Sequence, residues 1–450
     1  MEEGKVEYYK ANYDIVKDYR YSVDKFFIHL PMTINFKAAG FSPINNIALK
    51  NIALKEDMHI IGIDRGERNL IYVSVIDTKG NIVEQRNFNI VNGIDYKEKL
   101  KQKELDRDNA RKNWKEIGKI KDLKEGYLSL VVHEIAKLVV KYNAIITMED
   151  LNQGFKRGRF KVERQVYQKF ETMLINKLNY LVDKDLAVDQ EGGLLRGYQL
   201  TYIPESLKVL GRQCGYIFYV PAAYTSKIDP TTGFVAIFNY KGMTDKDFVT
   251  SFDSIKYDDE RGLFAFEFDY KNFVTHKVEM ARNKWTVYTY GERIKRKFKN
   301  GLWDTAEKVD LTYQMRNILE KYEIEYNKGQ DILEQIEELD EKAQNGICKE
   351  IKYLVKDIVQ MRNSLPDNAA EDYDAIISPV INNNGEFFDS TRGDDDKPLD
   401  ADANGAYCIA LKGLYEVMQI KKNWNEETEF PRKELKIRHQ DWFDFIQNKR

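Results

Sequence analysis

The sequence predicts an α/β fold in which helices flank a mixed β-sheet. Short apolar runs rich in isoleucine are typical of buried strands, and two of these runs end in a carboxylate, at Asp64 and Glu149. Segments with apolar residues at helical spacing lie between the runs. Strand-like and helix-like segments that alternate along one chain indicate a layered α/β architecture.

The first part of the sheet is predicted to be a three-stranded meander. From His59 to Phe88 the pattern is strand, strand, turn and strand, and Asp77-Thr-Lys-Gly-Asn81 has the composition of a tight turn. The repeated segment before it, 46–55, is a linker or a short helix. It is too short to indicate a solenoid.

Crossover helices are predicted to complete the sheet. Leu128 to Lys141 has the spacing of an amphipathic helix and precedes the strand Ala144 to Met148. A second helix, Gln165 to Asp183, precedes the last strand, Tyr216 to Val220. A meander followed by crossovers is the order of an RNase H-like fold, in which the first and fourth strands are neighbours. We therefore expect Asp64 and Glu149 to lie side by side.

Three acidic residues are candidates for holding metal ions. Asp64 and Glu149 close their apolar runs, and Asp402 opens a helix-like segment. The carboxyl ends of strands in an α/β sheet face the crevice where ligands bind. Two hard divalent ions, roughly 4 Å apart, need oxygen ligands of this kind to cleave a phosphodiester. An acid after a strand is more often a cap or turn residue, so the surrounding residues decide the interpretation.

The residues around the three acids resemble the three RuvC motifs of type V-A CRISPR effector nucleases. The segments are Ile60-Ile-Gly-Ile-Asp-Arg-Gly-Glu-Arg-Asn-Leu-Ile-Tyr72, Met148-Glu-Asp-Leu-Asn152 and Asp400-Ala-Asp-Ala-Asn-Gly-Ala-Tyr407. The resemblance extends from Lys17-Asp-Tyr-Arg20 to Gln440-Asp-Trp442 but covers only the carboxyl-terminal part of such an enzyme. It implies a fragment, or one half of a split protein, whose recognition lobe lies in a separate amino-terminal half.

The resemblance implies an RNase H-like (RuvC) mixed sheet with flanking helices, assembled from discontinuous segments. It adds an inserted α+β Nuc domain and an N-terminal β segment of the guide-holding (wedge) domain. The length of 450 residues also indicates two or three domains. The predicted order is wedge 1–41, RuvC segment I 42–95, bridge helix 96–115, RuvC segment II 116–220 with a lid loop 154–166, Nuc domain 221–399 and RuvC segment III 400–450.

A basic segment, 96–125, follows the first motif. It has 11 Lys or Arg against 7 Asp or Glu, a mixture that is usually a solvated helix face. The resemblance instead implies that it begins with the bridge helix. Arg107, Arg111 and Lys112 would then contact phosphates of the guide–target duplex, and Trp114 would anchor the helix.

A second basic segment directly follows Glu149. It contains two glycines and the candidate nucleic-acid contacts Lys156, Arg157, Arg159 and Lys161. An ordinary surface loop is one interpretation. The resemblance implies a mobile lid that admits a single strand to the site.

Further candidates lie at the end of the inserted domain. Gln360-Met-Arg-Asn-Ser364, followed by Glu371-Asp-Tyr373, resembles the segment that holds a functional arginine and aspartate in the family. Arg362 would bind a phosphate of the strand being cut, and Asp372 would orient the arginine or the substrate. The alternative for Arg362 is a surface ion pair. Arg316, in the similar segment Gln314-Met-Arg-Asn317, is assigned to an ordinary amphipathic helix.

Composition limits the classes of protein that remain. The net charge of −3 does not by itself indicate nucleic-acid binding, so any basic surface must be local. Cys214, Cys348 and Cys408 are widely spaced without a Cys-x-x-Cys pair, which argues against zinc and against a disulfide framework. The chain has neither a signal-like start nor a membrane-length apolar run. We expect a soluble, cytoplasmic prokaryotic protein without membrane contact.

The function predicted from these features is that of the catalytic half of a guide-directed endodeoxyribonuclease. Asp64, Glu149 and Asp402 would hold two Mg²⁺ ions, for which Mn²⁺ can substitute. The partners would be a CRISPR guide RNA, target double-stranded DNA, single-stranded DNA after activation and the amino-terminal half. Lys17 resembles an RNA-processing lysine whose partner residues are absent here. Two alternatives remain, a standalone RuvC-like nuclease or transposase and a non-catalytic nucleic-acid-binding or assembly module.

Overall fold

The computed structural model describes residues 38–65, 69–112, 120–150, 161–207, 210–273, 281–299, 302–365, 373–428 and 430–448. The residues from Ala39 onwards form one compact unit. The β segment predicted within residues 1–41 falls almost wholly outside the described residues. None of the helices that the structure describes combines the length and apolar character needed to cross a membrane.

The first half of the described chain builds the main sheet and the helices around it. Its helices are α1 (Phe41–Leu54), α2 (Tyr96–Lys112), α3 (Ile120–Lys141) and α4 (Lys161–Asn179). Its strands are β1 (His59–Asp64), β2 (Tyr72–Ile76), β3 (Ile82–Asn87), β4 (Ile90–Val91), β5 (Ile94–Asp95), β6 (Ala144–Glu149), β7 (Gln213–Cys214) and β8 (Ile217–Val220).

Within the described residues the main sheet has six strands in the order β3-β2-β1-β6-β8-β7. The predicted meander is confirmed, because β1, β2 and β3 pair in antiparallel fashion. Strand β6 then pairs in parallel with β1, and β8 in parallel with β6. This mixed sheet with flanking helices is compatible with an RNase H-like fold.

Each face of the sheet packs against different helices, because side chains alternate along a strand. One face carries Ile61, Ile63, Ile146 and Met148 and packs with apolar residues of α3 and α4. The opposite face includes Ile60, Ile145, Phe218 and Val220 and shares its core with α1 and with the long helix near the carboxyl terminus. The candidate acids lie on this second face.

Residues 221–400 form a second group of elements between β8 and that long helix. The helices are α5 (Asp245–Thr250), α6 (Leu311–Lys321), α7 (Ile332–Glu337) and α8 (Glu341–Ile358). The strands are β9 (Ser254–Asp258), β10 (Leu263–Asp269), β11 (Lys284–Tyr288), β12 (Glu292–Lys299), β13 (Leu302–Asp310), β14 (Arg362–Ser364), β15 (Asp374–Ile381) and β16 (Phe387–Asp389). The chain then returns to the main sheet as α9 (Ala401–Asn423) and α10 (His439–Asn448).

The inserted elements surround an aromatic core. Phe238 contacts the rings of Phe248, Phe268 and Phe273, with ring centroids 5.1 to 6.1 Å apart. Strands β9, β10 and β11 form one antiparallel sheet, β12 and β13 form a hairpin, and β14, β15 and β16 form a further sheet. The Phe238–Phe273 pair is edge-to-face, and aromatic packing of this kind stabilises the insertion beyond the burial of apolar area.

Helix α9 approaches the main sheet unusually closely. A Cβ atom at Gly62 of β1 would lie 2.1 Å from the carbonyl oxygen of Ala406, a distance that packed atoms do not adopt. The glycine therefore permits the helix backbone to rest directly on the strand. This contact brings the first turn of α9 beside the carboxyl end of β1.

Several predicted boundaries change in the structure. The segment 46–55 lies within α1, so the helix alternative is correct for all but its last residue. The helix predicted from Gln165 to Asp183 spans Lys161–Asn179, so it begins within the segment 154–166 that is predicted to be a lid. Val162 and Val166 continue the four-residue spacing of Phe170 and Leu174, which explains why the helix extends further back than expected.

Candidate functional site

Asp64 and Glu149 end neighbouring parallel strands, as predicted. The register pairs Ile63 of β1 with Met148 of β6, so the two acids follow at the same level of the sheet. Asp64 shares a face with Ile60, and Glu149 shares a face with Ile145, because each pair is separated by an even number of residues. Both carboxylates therefore lie on the face that α9 covers.

Asp402 reaches this face from the first turn of α9. The helix begins after Asp400, whose side chain accepts a hydrogen bond from the backbone N–H of Ala403 at 2.6 Å. This N-cap satisfies one of the free donors at the start of the helix. The side chain of Asp402 is fully buried, unlike most aspartates in the first turn of a helix.

A further close contact between β1 and α9 involves Gly405. A Cβ atom at this position would lie 2.2 Å from Oδ2 of Asp64, so only glycine leaves room for that carboxylate. Gly405 lies one turn beyond Asp402 on the same helix. The Asp64 carboxylate thus fits into a space on α9 that the absence of one side chain creates.

Three donors from two residues, Asn69 and Arg362, bind the Asp402 carboxylate. Oδ2 accepts hydrogen bonds from the backbone N–H of Asn69 at 2.8 Å and from its Nδ2 at 3.1 Å. Oδ1 lies 2.9 Å from Nη2 of Arg362. Asn89 donates to Oδ1 of Asn69 at 2.7 Å and thereby fixes the orientation of its amide.

Arg362 is held between two acids. Its Nη2 lies 3.2 Å from Oδ2 of Asp374, and its side chain is only 16% exposed. Ser364 donates a short hydrogen bond to Oδ1 of the same aspartate. Burial lowers the pKa of the Arg362 guanidinium. Asp374 and Asp402 together raise this pKa by more, so the net shift is upward. Arg362 thus forms an ion pair, as the alternative interpretation has it, but within a largely buried network and not on the surface.

The electrostatics of the site are dominated by crowded negative charge. Burial raises the pKa of Asp64 well above its ordinary value, and the neighbouring charges of Glu149 and Asp402 raise it further. Arg362 and Arg65 offset part of this effect. Like charges that share a buried site disfavour joint ionisation unless a cation compensates them.

The donors suit a hard divalent cation. All three candidate ligands are carboxylates, and the space opposite Gly405 accommodates one of them on the helix that carries another. Among the described residues, however, no group of three or more His, Cys, Asp or Glu side chains is arranged as a ready set of metal ligands. Arg362 and Asn69 occupy both oxygens of Asp402, so a cation bound there would replace at least one of these contacts.

Glu149 has partners that the sequence did not indicate. The hydroxyl of Thr225 lies 2.7 Å from its Oε1, and Nη2 of Arg65 lies 3.0 Å from its backbone carbonyl oxygen. Arg65 and Asn69 belong to the first acidic motif, which could have signalled them. Thr225 is remote from Glu149 in the sequence, and no local pattern marks it. Asp374 directly follows the motif Glu371-Asp-Tyr373, which could have signalled it.

Most of the predicted nucleic-acid contacts cannot be placed beside these acids. Arg107, Arg111 and Lys112 lie in α2, and Lys161 is the first residue of α4, but their side chains are not among those described. The remaining candidates lie outside the described residues, namely Lys17, Trp114, Lys156, Arg157, Arg159 and Asp372.

Arg316 behaves as predicted for the similar segment in the insertion. It lies in α6, and its Nη2 donates to the hydroxyl of Tyr257 at 2.9 Å on the protein surface. It contacts none of the three acids by any hydrogen bond or ion pair among the described residues. Two arginines in nearly the same local sequence thus have different environments.

One comparison with known proteins covers almost the whole chain. A family model described as the RuvC nuclease domain matches residues 38–450. The match includes β1, β6 and α9, the three elements that carry Asp64, Glu149 and Asp402.

Proposed function

The chain belongs to the RuvC nuclease domain family, and on this premise we propose that it is the catalytic half of a guide-RNA-directed DNA endonuclease. Family membership supports a hydrolase that cuts nucleic acid. The guide, the DNA substrate and the division into two halves are supported by the resemblance of its motifs to type V-A CRISPR effectors.

The observation that carries the proposal is the convergence of three distant carboxylates. Asp64, Glu149 and Asp402 come from three separate segments and face one another across the contact between the sheet and α9. Asp402 is fully buried, and Asp64 and Glu149 are half-buried beside it. Crowding the three acids together opposes folding, since each charge raises the cost of ionising the others. Such an arrangement is typical of active sites, where function rather than stability explains it.

RuvC nucleases generally use divalent metal ions. We propose that Asp64, Glu149 and Asp402 hold two Mg²⁺ ions, or Mn²⁺ in their place, which when bound activate the attacking water and neutralise charge on the leaving oxygen. The carboxylates themselves would orient this centre, with Asp402 fully buried at the start of α9. Cleavage of this type would leave 5′ phosphates.

Arg362 is proposed to exchange partners during the reaction. In the structure its guanidinium donates to Asp402 and Asp374. A guanidinium pairs equally well with a phosphate in a bidentate arrangement. Once the charge of Asp402 is compensated otherwise, Nη2 is available to bind a phosphate of the strand being cut, while Asp374 continues to orient the side chain.

Specificity is proposed to come from base pairing between the guide RNA and the target strand. In the related effector class the protein recognises the shape of that duplex and not its bases. The basic composition of α2 suits contacts with a phosphate backbone. Both strands of double-stranded DNA would be cut, and single-stranded DNA would be cut after activation.

The test is cleavage of labelled DNA by this chain, in Mg²⁺ or in EDTA, with and without a separately expressed amino-terminal half and guide RNA. We expect Mg²⁺-dependent cutting only in the complete mixture. Asp64→Ala should abolish it, and Asp189→Ala, which removes an exposed loop carboxylate, should not.

Other outcomes distinguish the alternatives. Cutting by the chain alone would indicate a standalone RuvC-like nuclease or transposase. Tight binding of nucleic acid without cutting, even in the complete mixture, would indicate an assembly module and would overturn the proposal.

A further inference from the structure

The segment that follows β8 carries Thr225, a residue that contacts a candidate metal ligand. Thr225 is 4% exposed. Its Oγ1 lies 2.7 Å from Oε1 of Glu149 and 3.1 Å from the carbonyl oxygen of Ala222. The hydroxyl has one proton, and the shorter contact to the charged acceptor is the stronger. Thr225 therefore donates to Glu149.

A buried lysine on α9 holds this segment from one side. Nζ of Lys412 donates to the carbonyl oxygens of Pro221 and Ala223, both at 2.6 Å. Lys412 is only 1% exposed, and no carboxylate of the described residues forms an ion pair with it. Burying an ammonium group is costly, so the carbonyl oxygens that accept its hydrogen bonds are essential to keep it there.

Helix α10 holds the same segment from another side. Nε1 of Trp442 donates to the carbonyl oxygen of Tyr224 at 2.9 Å, and the Tyr224 ring contacts Phe443 and His439 with centroids 5.0 and 5.1 Å away. Nζ of Lys412 also lies 5.1 Å from the centroid of the Trp442 ring. Lys412 and Trp442 thus contact each other, and each donates hydrogen bonds to the segment.

The backbone between these contacts is strained. Tyr224 has a φ of 57°, a left-handed conformation that residues with a side chain rarely adopt. Such a conformation persists only where the surroundings enforce it, and it is common at functional sites. Here the contacts on Ala223 and Tyr224 enforce it, and the next residue, Thr225, is turned towards Glu149.

We propose that Thr225 is a positioning residue for Glu149, and that Lys412 and Trp442 hold the strained segment that carries it. The hydroxyl fixes the Glu149 carboxylate through Oε1, and Oε2 remains available to a cation. This inference rests on the proposed function, because it assumes that Glu149 binds a metal ion. Partners that orient ligating carboxylates in this way typically contribute roughly 10- to 100-fold to metal affinity.

A purely structural role predicts something different. If the contacts served only to attach α9 and α10 to the end of β8, the hydroxyl of Thr225 would matter for stability but not for metal binding. The pair Thr225→Val and Thr225→Ser separates these cases, because valine keeps the shape without the donor and serine keeps the donor.

The experiment is titration of the full chain with Mn²⁺ by calorimetry at neutral pH, with melting temperatures measured in EDTA. We expect Thr225→Val to weaken Mn²⁺ binding by about 10- to 100-fold. Thr225→Ser should bind within about threefold of the unmodified chain. Trp442→Phe, which removes only the indole donor, should weaken binding in the same direction but less.

Three results would overturn the inference. Unchanged Mn²⁺ affinity in folded Thr225→Val would reduce Thr225 to a structural residue. If Thr225→Val does not fold, unchanged affinity in Trp442→Phe would lead to the same conclusion. If the unmodified chain shows no Mn²⁺ binding that Asp402→Asn abolishes, the proposed function fails and this inference fails with it.

Discussion

Nη2 of Arg362 lies 2.9 Å from Oδ1 of Asp402, so an arginine of the insertion neutralises a fully buried carboxylate at the start of α9. The relationship connects two regions that are separate in the main architecture. It also places a positive charge where the proposed function requires a metal ion. Arg362 and a metal ion should therefore compete for Asp402. Removing the arginine should change how strongly the metal ion stabilises the chain.

Arg362→Ala should destabilise the chain without metal and increase the stabilisation that Mg²⁺ provides. Removing one partner of a buried pair leaves the other charge uncompensated, at a cost of about 3–5 kcal/mol. Melting temperatures in EDTA and in Mg²⁺ measure both effects. Arg316→Ala is the matched control, since Arg316 lies in a similar local sequence on the surface, and it should change neither value. Equal behaviour of the two variants would contradict the competition.

Asp64→Asn should stabilise the metal-free chain at neutral pH by about 1–2 kcal/mol. Burial, Glu149 and Asp402 raise the pKa of Asp64, so the folded chain binds its proton more tightly than the unfolded chain does. This contribution to stability is present at low pH and is lost as pH rises through the raised pKa. The advantage of asparagine should therefore shrink as pH falls towards about 4, close to the ordinary pKa of aspartate. Melting temperatures from pH 4 to 8 in EDTA test this, and a constant difference would refute it.

Gly405→Ala should impair the site although alanine favours helix. Its Cβ would lie 2.2 Å from Oδ2 of Asp64 and would displace that carboxylate. We expect a loss of stability of about 1–3 kcal/mol from overpacking, and a roughly 100-fold loss of cleavage in the complete mixture from misplacement of the acid.

The control for Gly405→Ala is Gly126→Ala. Gly126 lies in α3, and a Cβ there would meet no atom within 4 Å. This variant should be about 0.5–1 kcal/mol more stable, because alanine loses less conformational entropy in a helix. If both variants behaved alike, the space opposite Asp64 would not matter.

Arg293→Lys should destabilise the insertion even though the charge is retained. The guanidinium of Arg293 is fully buried and donates to the carbonyl oxygens of Tyr290, Glu292, Ile358 and Ile377. A lysine has one nitrogen and cannot reach all four, so we expect a loss of about 2–3 kcal/mol. Denaturant unfolding measures it. Arg261→Lys, at an exposed arginine that pairs with Asp258, should stay within about 0.5 kcal/mol.

Much of the main sheet could be predicted because its signals are local. The apolar runs that end at Asp64 and Glu149 are strands, and their order along the chain makes them neighbours. The helix that begins near Asp402 could be predicted from Asp400 and the residues after it. The start of α4 at Lys161 was missed, since glycines and basic residues just before it favour a loop.

The sequence by itself determined the three acids, the alternation that directs two of them to one face, and the family to which the chain belongs. Only the tertiary structure decided which side chains complete the site. Asp374 and Asn69 meet the site through contacts with Arg362 and Asp402, and Thr225 meets Glu149 across 76 positions of sequence. Such contacts depend on how α9, the insertion and the sheet pack together, and no local periodicity or propensity records that packing.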